Sequence, residues 1–134
     1  MVSILDWSTT AGDNGSADSG INFAEFQNPN TVNDSARQLM ARIKSWILDT
    51  GKPHATTGAS ANTYEVTIDS TIDALVDGLT FYVLPHQTNT GAATLKLGAF
   101  AAKPWRPKPG SDFVANDILL NVPTMVRYHL SGDQ

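Results

Sequence analysis

The sequence predicts an α+β chain: an extended segment over residues 1–30, one amphipathic helix over 31–50, a linker over 51–62 and a small antiparallel β module over 63–134. Three observations predict it. The first 30 residues carry isolated large apolar side chains but no sustained period. Residues 31–50 carry apolar residues at helical spacing between a start and a stop signal. From residue 63 onward, apolar and polar residues alternate in short runs separated by turn residues.

Length and composition bound the rest. At 134 residues the chain is one ordinary domain, or a small domain with an extension. Its residues are 41% hydrophobic and only 16% charged, so much of the surface must be Asn, Thr, Ser, Gly and Ala. A net charge of −4 gives no basic face for nucleic acid. The absence of cysteine removes disulfides, thiolate catalysis and cysteine-ligated zinc together. No apolar run approaches the length of a membrane span, and the first residues lack the basic start of a secretion signal.

In the N-terminal segment, Ile4, Leu5, Trp7, Ile21, Phe23 and Phe26 stand among Gly, Ser, Asp, Asn and Thr. They are too sparse to build a core of their own, so the segment is expected to order by lying on another surface. The helix starts after Asn28-Pro29-Asn30, with Thr31 as the expected cap and Asp34 three residues on as an imperfect capping box. It stops at Gly51, with Pro53 beyond. Val32, Ala36, Leu39, Ile43 and Trp46 follow the 4, 3, 4, 3 spacing of a coiled-coil seam, and Met40 and Ile47 widen the stripe. The pattern serves either packing on the chain's own sheet or association with other copies of the helix.

After the Gly-, Ala- and Thr-rich linker, strands are expected at 63–68, 79–87, 93–100 and 124–130. Residues 102–108 form a proline-interrupted edge, and 70–78 and 111–120 are candidate helical turns. His54, His86 and His129 stand in no pattern that resembles a catalytic motif, so no catalytic residue is assigned and no enzyme activity is expected. Residues 13–20 offer oxygens at Asp13, Asn14, Ser16 and Asp18 but lack the order and closing glutamate of a calcium loop, and the nearby glycines fit no phosphate-binding fingerprint. No metal or cofactor is expected. Trp105, Tyr82 and Tyr128 are candidates for a sugar-stacking platform, which keeps a host-surface glycan-binding module as an alternative reading.

The run from Asp6-Trp7-Ser8 through "INFAEFQNPNTVNDSARQLMARIKSW" resembles the N-terminal region of bacteriophage tail fibre and related virion appendage proteins. Members of that group carry Ile-Asn-Trp-Ala-Glu-Gly-Gln followed by Val-Asn-Asp-Ser-Ala-Arg and a helix. The later "TNTGAATL" resembles a hairpin of the β module found there, and Lys103 lies in a similar following turn. Phe23 stands where the pattern has Trp, Phe26 where it has Gly, and "LLNVP" (119–123) where a Gly-containing turn is common.

The resemblance implies a homotrimeric structural component of a phage virion, a tail fibre segment or fibre adaptor, assembled in the bacterial host cytoplasm. A head or collar fibre is a variant of the same reading. The helix would form a trimeric bundle through Val32, Ala36, Leu39, Met40, Ile43, Trp46 and Ile47. Ile4, Leu5, Trp7, Ile21, Phe23 and Phe26 would attach to tail, baseplate or adaptor proteins. Receptor binding, possible through host glycan, would fall to a region further along such a fibre.

Overall fold

The structure is a computed structural model that describes residues 3–134. It is α+β, with one α-helix and two mixed sheets. The chain divides into two compact units. One contains the residues up to Leu48 together with Asp69–Ala74, and the other contains Asp49–Ile68 and Leu75–Gln134.

In the first unit, short 3₁₀ turns at Ile4–Asp6, Ala11–Asn14 and Pro29–Thr31 lead into helix α1, Val32–Gly51. The first turn closes as a capping box. The Ser3 hydroxyl accepts from the Leu5 N–H at 3.1 Å, and the Asp6 carboxylate accepts from the Ser3 N–H at 3.0 Å. The start of α1 differs from the sequence expectation. The 3₁₀ turn over Pro29–Thr31 runs straight into it, and the Thr31 hydroxyl donates backward to the Asn28 carbonyl at 2.8 Å instead of capping. Pro29 causes this, because its fixed φ and missing N–H suit the first position of a helical turn and start the winding early. Asp34, freed from a capping role, accepts from Arg37 at 3.1 Å.

The second unit holds seven strands: β1 Pro53–Ala55, β2 Thr57–Ser60, β3 Thr63–Val66, β4 Thr80–Leu84, β5 Ala93–Leu97, β6 Lys103–Trp105 and β7 Thr124–Arg127. They form two sheets, β1-β4-β7 and β2-β3-β5-β6. The β module is mixed, not antiparallel as expected. β1 runs parallel to β4 and β3 parallel to β5, while the β2–β3, β4–β7 and β5–β6 pairs are antiparallel. The supposed linker supplies the difference, because residues 53–60 are strands β1 and β2. Its Gly and Thr content masks a pattern in which His54 and Thr56 are buried between exposed neighbours. The segments 70–78 and 111–120 form turns and bends without helix.

Consecutive strands β4 and β5 lie in different sheets, so "TNTGAATL" is a crossing between sheets and not a hairpin. Asn89 holds that crossing. Its side-chain amide donates to the Gly91 carbonyl at 2.8 Å and the Val114 carbonyl at 2.7 Å, and its side-chain oxygen accepts from the Ile118 N–H at 2.8 Å. Its backbone exchanges two further bonds with Ile118 and Asn116. The buried asparagine thus fixes the long 106–123 connection against the 87–91 crossing, and Ile118 is buried beside it.

The core takes the inward side chains of both sheets. Phe81, Val83 and Val126 come from one, and Tyr64, Val66, Leu95 and Leu97 from the other. Tyr64 meets Trp105 edge to face at 5.2 Å, and Trp105 meets Phe113 at 5.7 Å. The β2–β3 pair contains a register shift, and Gly58 within it has a φ of 156°. A β-carbon there would lie 1.9 Å from the Thr63 carbonyl oxygen.

Two substitutions check this account. Asn89→Asp should lower stability by about 2–3 kcal/mol in chemical denaturation, because two carbonyls then face a carboxylate with nothing to donate. Gly58→Ala should force β2 off β3 and show as lost amide protection at the β2–β3 pair, with the β4–β7 pair spared.

Candidate functional site

The residues singled out by sequence fall on α1 and on the segment before it, and the two are connected by a small polar network. Asp18 is buried. Its carboxylate accepts from the Arg42 guanidinium at 2.8 and 3.5 Å and from the Gly20 N–H at 2.8 Å, while its carbonyl accepts from the Ile21 N–H at 2.9 Å. About two helical turns nearer the start of α1, buried Ser35 accepts from the Asn22 N–H at 3.0 Å and donates to the Asn22 carbonyl at 3.3 Å. Gly20 lies close against the Gln38 side chain, where a β-carbon would come within 3.0 Å of Gln38 Cγ. The Phe23 N–H donates to the Gly15 carbonyl at 3.0 Å and closes the loop.

Ser35, Gln38 and Arg42 share one face of the helix at i, i+3, i+7. That polar face is the one directed at the N-terminal segment. The apolar stripe lies about a third of a turn away, and Val32, Ala36, Met40, Ile43, Trp46 and Ile47 are exposed along it, with Met40 at 70%. Leu39 is half-buried. The usual arrangement, apolar in and polar out, is reversed around this helix.

Burial opposes ionisation of Asp18, but the Arg42 side chain and the Gly20 N–H outweigh it and hold the carboxyl below its ordinary value. The pair therefore contributes stability that is fully present above about pH 4, the ordinary aspartate range, and is lost as pH falls through the lowered folded value.

The six apolar residues of the N-terminal segment divide. Ile21 is buried within its own chain, Ile4, Leu5 and Trp7 are half-buried, and Phe23 and Phe26 are exposed. Phe26 is fully exposed, at 101%, and its φ is +63°. A bulky side chain in the left-handed region is strained by roughly 1–3 kcal/mol, and here no burial compensates it. A glycine would sit there without strain.

Of the oxygens offered by residues 13–20, those of Asp13 and Asn14 are engaged locally. Asn14 exchanges bonds with the Ser8 backbone at 2.8 Å in both directions, and Asp13 accepts from the Ser8 hydroxyl at 3.1 Å. Two of the three histidines lie in defined surroundings. His54 is buried with Nε2 3.4 Å from Asp49, and His86 Nδ1 lies 2.9 Å from the Thr56 hydroxyl. Of the rings considered as a sugar platform, Trp105 and Tyr128 are buried and Tyr82 is half-buried. Tyr128 donates to Asp133 at 2.8 Å, and this bond raises its pKa.

Comparison with protein families, with curated proteins and with solved structures finds no match to this chain. Among the described residues, no helix is long and apolar enough to cross a membrane.

Arg42→Ala should strand the Asp18 carboxylate and weaken the hold on the segment by on the order of 3 kcal/mol. Amide exchange at Ile21 and Phe23 should accelerate more than a hundredfold while the β4–β7 amides stay protected. In the unaltered protein the same two amides should lose protection below about pH 4 and keep it from pH 5 to 8.

Proposed function

We propose that the chain is a structural, non-catalytic subunit of a bacteriophage virion: a homotrimeric tail fibre segment or fibre adaptor that joins other copies through α1 and docks on a tail, baseplate or adaptor protein through its N-terminal segment. The observation that carries the reading is the reversed helix. Its polar face is occupied by its own chain, and its apolar stripe is left in water. A continuous apolar stripe of that kind marks a contact surface. Each large side chain covered there contributes about 1.5–3 kcal/mol, and an isolated helix of this length is marginal without such cover. The heptad spacing and the sequence resemblance favour other copies of α1 as the cover, in a threefold bundle.

Phe26 supports the docking half of the proposal. Backbone strain kept at a fully exposed aromatic residue has no use in the isolated chain, and strained positions cluster where a partner binds. Phe23 lies beside it in sequence and is also exposed. A trimer would present both residues three times, so a modest contact per chain becomes long-lived. The protein would then reside in the virion after assembly in the host cytoplasm.

Sedimentation equilibrium at micromolar concentration should give a trimer, and Met40→Asp with Ile43→Asp should give monomer or aggregate. A monomeric unaltered protein would overturn the assembly half of the proposal. Phe26→Gly should separate strain from function: it should stabilise the free protein by about 1 kcal/mol yet reduce its incorporation into particles. Undiminished incorporation would move the docking surface elsewhere.

A further inference from the structure

The second unit contains a partly open cleft of about 550 Å³ that neither the strand pattern nor the proposed assembly uses. Leu79 and Phe81 line it from one sheet, and Leu95, Leu97 and Trp105 from the other. The cleft exists because the two sheets do not close on each other. β6 and β7 are each the last strand of their sheet, and β6 is three residues long with Pro104, which has no N–H to donate, at its centre. Pro107 and Pro109 continue the rim and hold it stiff.

The rim has the opposite charge to the chain. Lys103, Arg106, Lys108 and Arg127 line the cleft, four of the nine Lys and Arg residues in a protein of net charge −4. Two of them are matched. Lys103 pairs with Asp133, and Arg106 pairs with Asp112 at 2.9 Å and donates to the Gln134 side chain at 2.9 Å. Among the described residues, Lys108 and Arg127 have no carboxylate partner, and both are exposed at the mouth. Asp77, the one acidic lining residue, is engaged by the Leu130 N–H at 3.0 Å. An apolar interior of drug-sized volume under two unmatched cations is complementary to a ligand with an apolar body and one anionic head.

We propose that this cleft binds a small amphipathic organic anion, an alkyl or aryl carboxylate or sulfonate, with its apolar body in the cleft and its head at the cationic rim that includes Lys108 and Arg127. The site lies within one chain and does not depend on the assembly proposed above. Neither uncharged apolar molecules nor charged sugars meet both requirements.

The test is calorimetric titration of the full chain with octanoate, 1-octanol and galacturonate at low salt, each repeated on the Lys108→Glu/Arg127→Glu protein. Octanoate should bind at least tenfold more tightly than either of the other two, and it should weaken by at least tenfold as salt rises from 20 to 500 mM. The double variant should keep its melting temperature, because both side chains are exposed, and lose at least tenfold in octanoate affinity. The indole N–H resonance of Trp105 should shift on octanoate addition and stay fixed with galacturonate. Equal affinity for octanoate and octanol, undiminished binding by the folded double variant, or no binding of octanoate at all would each overturn the proposal. Tighter binding of galacturonate would overturn it in favour of an acidic-sugar site.

Discussion

Arg42 and Asp18 join a helix to a segment that has no sheet and almost no core, and the rest of the first unit follows from that buried contact. A charge taken out of water must be matched, so once Asp18 is covered its position against Arg42 is fixed to within a hydrogen bond. The turn from Asp18 to Ile21 then places Asn22 over Ser35 and Gly20 over Gln38. The helix is held by its polar residues, and its apolar residues are left for something else. An apolar contact could slide or be replaced by another apolar contact. A two-pronged ion pair with a third bond from a backbone N–H is far more selective about geometry.

The second unit is organised differently. Its strands are short, and two of its pairings are parallel, so strand order depends on crossings as well as on the tight turn between β2 and β3. Asn89 holds the crossing from β4 to β5 by saturating its side chain with three backbone groups from two connections. The incomplete closure between β6 and β7 follows from the same economy of strand. It leaves an apolar gap bordered by stiff, cationic chain, in contrast to the acidic protein around it.

These two units suggest a division of labour. The first has its exposed apolar surface on a rigid helix and on a strained aromatic tip, features suited to fixed protein contacts. The second has a concave site with matched and unmatched charges, a feature suited to a small ligand. The buried Asp18 carboxylate of the first unit is explained by anchoring.

Sequence by itself determined the elements whose signal is local. The helix was legible because Pro29 and Gly51 bracket a 3.6-residue period, and β3, β4, β5 and β7 were legible because burial alternates along them. The exposed stripe on α1 was legible as a stripe for the same reason. Tertiary structure decided what periodicity cannot encode. The strands β1 and β2 are written in Gly, Ala and Thr, so their identity comes from the partners they find in β4 and β3. Whether "TNTGAATL" turns back or crosses depends on where Ile118 and Val114 lie, some 25 residues away in sequence. Asp18 read as a loop oxygen until folding placed it 2.8 Å from Arg42, and only then was it settled which face of the helix remained free. Phe26 was legible as an aromatic residue, but its left-handed backbone and full exposure were set by the turn it occupies. The cationic cleft depends on two sheet edges that approach without pairing, a relation between distant strands that no local pattern records.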